Sequence, residues 1–164
     1  MQASLATSDY FNTCGFIGDA VNVGRLAPIP VFGGSGYVGF VDGTIPYTYK
    51  EYIGNCLSEK LESGVEYTQE FYLAHGQGPN NLSISLFDNE QCGNLPFGGF
   101  DCPAGISGWS ELAIDTFSLS LNQWNKAKIT FTPDKNYNAV DIGLSCSPVK
   151  HPNQNTPPTT IWII

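Results

Sequence analysis

From Gly36 to Ile164 the chain alternates apolar and polar residues in short runs broken by Gly, Pro, Asn and Asp. Successive strand side chains point to opposite faces, so a period of two predicts strands that are each apolar on one side. The candidate strands are GYVGFVD from Gly36, KEYIGNCLSEKL from Lys50, EYTQEFYLAHG from Glu66 and LSISLFDN from Leu82. They continue with SELAIDTFSL from Ser110, WNKAKITFTP from Trp124, AVDIGLSC from Ala139 and TTIWII from Thr159. No long helical period competes with them. Short strands separated by turn signals predict an all-β, antiparallel two-sheet sandwich.

The alternation assigns faces residue by residue. Tyr67, Gln69, Phe71 and Leu73 share one side of their strand and are expected in the core, while Thr68, Glu70, Tyr72 and Ala74 share the other. Leu82, Ile84 and Leu86 oppose Ser83 and Ser85, and Ala127, Ile129 and Phe131 oppose Lys126, Lys128 and Thr130. Val140, Ile142 and Leu144 oppose Asp141, Gly143 and Ser145. One apolar and one polar face per strand suits two-layer packing. Residues 12–35, residues 89–108 and the Pro-rich PVKHPNQNTPPTT do not alternate and are read as long connections.

A length of 164 residues suits one domain, so residues 1–164 are expected to form a single sandwich. Lys plus Arg total 7 against 15 Asp plus Glu, a net charge of -8, which removes the electrostatic driving force for nucleic-acid or anionic-membrane binding. No uninterrupted apolar run reaches the ~20 residues that a transmembrane helix needs. The opening MQASLATSDYFNTCG has neither the basic nor the apolar region of a secretory signal. As a secreted protein the chain is therefore expected to be a piece of a longer precursor.

Secretion is suggested by the five cysteines, Cys14, Cys56, Cys92, Cys102 and Cys146, which form no C-x-x-C pair of a zinc or redox motif. Cys92 and Cys102 bracket a Gly- and Pro-rich loop and are expected to pair with each other. Cys146 continues the apolar parity of Val140, Ile142 and Leu144 and is read as a buried free thiol, which leaves Cys14 with Cys56.

Candidate ligand contacts are aromatic residues at turns and on polar faces, because sugars offer C–H faces that stack on rings beside hydroxyls that bond carboxylates and amides. Tyr47, Tyr49, Phe97, Phe100 and Trp109 meet this description. So do Glu70 and Tyr72, which share an outward strand face and are expected near Asp141 or Lys128. Trp109 and Trp124 also stand at strand starts, where capping the core is the commoner role. Catalytic signatures are missing: there is no G-x-S-x-G, no H-E-x-x-H and no glycine-rich phosphate loop. Glu111 and Asp115 are expected on one strand face, where their spacing gives ~13 Å, too long for a paired-carboxylate mechanism. His75 and His151 are read as surface loop residues, and the sequon at Asn81 as a chance match.

SDYFNTCG, GSGYVGFVDG, KEYIGNCLSEKLESGVEYTQEFYLA, CGNLPFGGFDCP and GWSEL, taken in that order, resemble the jelly-roll modules of large secreted surface proteins of gliding Bacteroidetes. These modules are related to galactose-binding-like and carbohydrate-binding sandwich domains, and the likeness runs roughly from Ser8 to Cys146. It implies a jelly-roll sandwich at the cell surface that contacts glycans or another surface polymer without catalysis. The alternative it leaves is a structural spacer or fibre subunit completed by neighbouring domains or subunits. An Asn-Gly-Ser-Phe-Glu-like first strand is missing, and the last strand stops at IWII where an Asp-rich one is usual. Related jelly rolls often hold a structural calcium, for which Asp9, Asp19, Asp42 and Asp101 offer loop oxygens. No other cofactor is implied. A glycan-active enzyme is the remaining, lesser reading.

Overall fold

A computed structural model describes residues 9–12, 36–43, 49–77, 80–92, 102–121, 123–146 and 159–163. Its strands are β1 (Asp9–Asn12), β2 (Gly36–Gly43), β3 (Tyr49–Lys50), β4 (Tyr52–Leu61) and β5 (Tyr67–Gln77), followed by β6 (Asn81–Asn89), β7 (Trp109–Ser118), β8 (Asn125–Phe131), β9 (Tyr137–Leu144) and β10 (Thr159–Ile163). Each segment with period-two patterning forms a strand. β1 and β3, which carry no such pattern, are short additions.

The strands form two antiparallel sheets. The first runs β1-β2-β10-β5-β8, with β3 also on β2, and the second runs β4-β9-β6-β7. β1 and β3 share the edge of β2 away from β10, because Gly39 pairs with both Asp9 and Trp162 while Asp42 pairs with both Lys50 and Thr159. Setting β1 and β3 aside, the orders β2-β10-β5-β8 and β4-β9-β6-β7 place sequence-distant strands side by side, the double Greek key of a jelly-roll sandwich.

Between the sheets lies the main core. Phe40 from β2, Phe71 and Leu73 from β5, Leu82, Ile84 and Leu86 from β6, Ala127 and Ile129 from β8, and Leu144 from β9 are all buried there. Each large apolar side chain so buried contributes roughly 1.5–3 kcal/mol. The alternation assigns these residues inward on β5, β6 and β8, and Lys126, Lys128 and Thr130 on the opposite face are exposed. Gln69, however, expected in the core, is exposed, while Ala74 and Ser85, expected on the outer faces, are wholly buried.

On β9 the expected polarity is incomplete. Asp141 is wholly buried and Ser145 nearly so, whereas Val140 and Ile142 on the inward side are only half-buried. The cause is a second apolar cluster on the outward side of the second sheet. There Tyr52, Phe87, Trp109 and Ala139 pack together with Cys102, Ile106 and Cys146. The β6–β7 connection brings Ile106 to this face, where a 3-10 turn at Pro103–Gly105 ends in Ile106 N–H donating to the Pro103 carbonyl at 2.9 Å.

Two disulfides link this connection to the strands below: Cys56–Cys92 and Cys102–Cys146, each with Cα atoms 5.4 Å apart. The expected Cys92–Cys102 and Cys14–Cys56 bridges do not form, and Cys146 is not a free thiol. Cys56 shares the outward parity of Tyr52 on β4, and β9 separates β4 from β6. The two ends of the connection are therefore tied to different places, Cys92 to β4 and Cys102 to the chain just beyond β9. Cys14 lies outside the described residues.

Candidate binding face

β5 and β8 form one edge of the first sheet, and their register brings Thr68 opposite Thr130, Glu70 opposite Lys128, and Tyr72 opposite Lys126. All these residues point away from the core, because Phe71, Ala127 and Ile129 between them point inward and are buried. Thr68 and Thr130 join hydroxyls at 3.0 Å. Lys126 reaches diagonally to Glu70, Nζ to Oε2 at 3.0 Å, with both side chains more than half exposed at 54%. The Glu70 carboxylate raises the pKa of Lys126, first by its hydrogen bond and then by its charge. Tyr72 is half-buried. The result is a solvent-facing strip in which a phenol ring adjoins a carboxylate, two ammonium groups and two hydroxyls.

Beyond Tyr72 the solvent-facing strip ends at Ala74, which is wholly buried, and there β5 pairs with β10. Trp162 stands opposite Ala74, two residues along β5 from Tyr72, and opposite Gly39 of β2 on its other side. The β5–β10 register shifts between Thr160 and Ile161.

The other candidates distribute differently. Lys128 joins Glu70 and Tyr72, but Asp141 belongs to the other sheet, buried between Gly54 of β4 and Phe87 of β6. Burial pushes its carboxyl up to about 7, the Ile142 backbone N–H opposing weakly without meeting hydrogen-bond geometry. Trp109 is a member of the outward cluster with 7% of its surface exposed, so its ring serves packing. Trp124 packs edge-on against Tyr37, with ring centroids 5.8 Å apart. Tyr49 lies in β3 opposite Gly43. Tyr47, Phe97 and Phe100 lie outside the described residues, as do Asp19, Asp101 and His151.

Glu111 and Asp115 do not share a face. A bulge at Leu112 shifts the register, so Glu111 pairs with outward Phe87 and Asp115 with inward Ile84. Glu111 accepts a hydrogen bond from Ser85 Oγ at 2.5 Å, and Asp115 accepts one from the Thr116 N–H at 2.7 Å. Neither is poised toward the other. His75, expected at the surface, is wholly buried on β5, where it pairs with Ile161 of β10 and bridges to Leu121. Among the described residues its ring nitrogens have no hydrogen-bond partner, and desolvation lowers its pKa. The backbones of Asp9 and Asp42 lie in β1 and β2, and among the described residues no group of three or more His, Cys, Asp and Glu could hold a metal ion. No helix of the described residues is long and apolar enough to cross a membrane.

No family model and no curated protein matches this chain. Similar solved structures include a Family 16 Carbohydrate Binding Module-2, 10% identical over 98% of this chain and 95% of that one, with a TM-score of 0.45. A CBM4 structure is 18% identical over 94% of this chain and 80% of its own, also at 0.45. The K1 cleaved adhesin domain of Lys-gingipain from Porphyromonas gingivalis W83 is 12% identical over 98% and 89%, at the same score of 0.45. Likeness at this level assigns neither a family nor a ligand, and the jelly-roll order of the strands stands on the pairing described above.

Proposed function

We propose that this chain is a non-catalytic, extracellular glycan-binding module, one domain of a longer secreted surface protein, and that its contact face is the outward strip of β5 and β8. The observation that carries the reading is the convergence of Tyr72, Glu70, Lys126 and Lys128 on one exposed sheet face. A ring offers a surface for sugar C–H groups, and flanking carboxylate and ammonium groups bond hydroxyls. Paired strands hold these groups in a fixed register, which lowers the ordering cost of binding an extended polymer. Two disulfides fit an oxidising compartment.

A glycan array probed with the disulfide-intact chain tests this. A defined set of neutral or cationic glycans should bind, and Tyr72→Ala should weaken the best hit about tenfold or more with an unchanged melting temperature. Glu70→Gln should change which glycans bind. If nothing on the array binds, or if both variants bind as the parent does, the face is not the site.

A further inference from the structure

A slot of about 440 Å³ opens between the two sheets, lined by Val38 of β2, Ile53 of β4, Phe71 of β5, Leu86 of β6 and Val140 and Ile142 of β9. β9 is an interior strand, flanked by β4 and β6, and the inward residues of such a strand are normally sealed. Val140 and Ile142 nevertheless remain half-buried. The same slot is bordered by Asn55 of β4 and Gln69 of β5, one from each sheet, both at inward-parity positions and both exposed. They mark its mouth.

Among the described residues the mouth is amide-lined and carries no uncommitted charge. Gln69 Nε2 donates to the Glu70 carbonyl at 3.2 Å, leaving its own carbonyl oxygen as an acceptor. The Glu70 carboxylate is held by Lys126 on the other side of the sheet. Behind the amides every wall side chain named above is apolar. The volume lies within the roughly 300–1,000 Å³ of small-molecule sites. Apolar walls without partner atoms forfeit dispersion contacts that an occupant of the same chemistry restores.

We propose that this inter-sheet slot binds an uncharged amphiphile, a single aliphatic chain lying between β5 and β9 with a hydroxyl- or amide-bearing head at Asn55 and Gln69. A charged head is disfavoured, because amide dipoles cannot replace the hydration of an ion at the edge of an apolar slot. The site is separate from the outward strip and does not depend on glycan binding there.

The test uses the neutral fluorophore N-phenyl-1-naphthylamine with the disulfide-intact chain. Saturable, blue-shifted emission is expected, displaced by 1-decanoylglycerol at least about tenfold more effectively than by decanoate and not by a cello-oligosaccharide. Val140→Phe, which fills the slot, should abolish the saturable signal with a melting temperature equal to or above that of the parent. Should that variant fail to fold, Asn55→Asp with Gln69→Glu places charge at two exposed positions and should weaken displacement by 1-decanoylglycerol at least about tenfold. Tyr72→Ala should leave the signal intact. Absence of saturable emission from the folded parent overturns the proposal, as does full signal from folded Val140→Phe. If Val140→Phe does not fold, displacement unaffected by the two mouth charges overturns it.

Discussion

The ring of Tyr52 lies directly over Gly143, so closely that a Cβ at position 143 would sit 2.8 Å from Tyr52 Cε1 and closer still to Cδ1. The two residues face each other across the β4–β9 ladder. Tyr52 also meets Phe87 edge-on, with centroids 5.4 Å apart, so the ring has a packed neighbour on that side. The third contact of the hypothetical Cβ, the Glu51 carbonyl at 3.1 Å, is backbone. Gly143→Ala should therefore destabilise the domain by about 1–3 kcal/mol in urea denaturation, the usual cost of forced overpacking. Combined with Tyr52→Ala, which clears the space, the same substitution should cost much less. A Gly143→Ala penalty that persists undiminished in the Tyr52→Ala background would mean that the ring does not cause it.

Both disulfides tie the β6–β7 connection to the second sheet, closing sequence separations of 36 and 44 residues. Removing either as a Cys→Ala pair should lower stability by about 2–4 kcal/mol. The Cys102–Cys146 pair should cost more in practice, because its half-buried sulfurs also pack against the Tyr52, Phe87 and Trp109 cluster. Non-reducing peptide mapping should recover Cys56 linked to Cys92 and Cys102 linked to Cys146. A Cys92–Cys102 peptide would contradict the arrangement.

Sequence periodicity made the strands and the Glu70–Tyr72 face legible, since it depends only on which way successive side chains point. The misreadings share one origin: they concern what a neighbouring segment does. Cys92 and Cys102 are near each other along the chain, but sheet order decides which strands pass beneath the ends of their loop. The one-residue bulge at Leu112 reverses the relation of Glu111 to Asp115, and nothing in ELAID announces it. Asp141 alternates as an outward polar residue should. It is buried because a distant apolar cluster forms on that same face.

That burial has a consequence for pH. The Asp141 carboxyl titrates near 3.8 in the unfolded chain and at about 7 in the folded one, chiefly through desolvation. The folded state therefore holds a proton that the unfolded state has released, and stability falls as pH rises from about 4 to about 7. The full difference amounts to up to about 4 kcal/mol. Asp141→Asn should lose this slope and be more stable than the parent at pH 8, with little difference near pH 4. Urea midpoints across that range check it, and parallel profiles for variant and parent would show that Asp141 is not the source.

His75 acts with the opposite sign. Its imidazole is wholly buried, without a hydrogen-bond partner among the described residues, and desolvation holds its pKa below 6.5. Below pH 6.5 the unfolded chain binds a proton that the folded chain resists, so this group lowers stability as pH falls toward its folded pKa. At neutral pH the ring still leaves a polar N–H and a lone pair unmet in the core, which costs about 1–3 kcal/mol. His75→Leu keeps the site apolar at similar volume and removes both penalties. The variant should melt higher than the parent at pH 7.5, and its advantage should widen at pH 5.5. A smaller advantage at pH 5.5 than at 7.5 would indicate that the imidazole finds a partner when protonated, and that the β5, β10 and Leu121 junction opens to admit it.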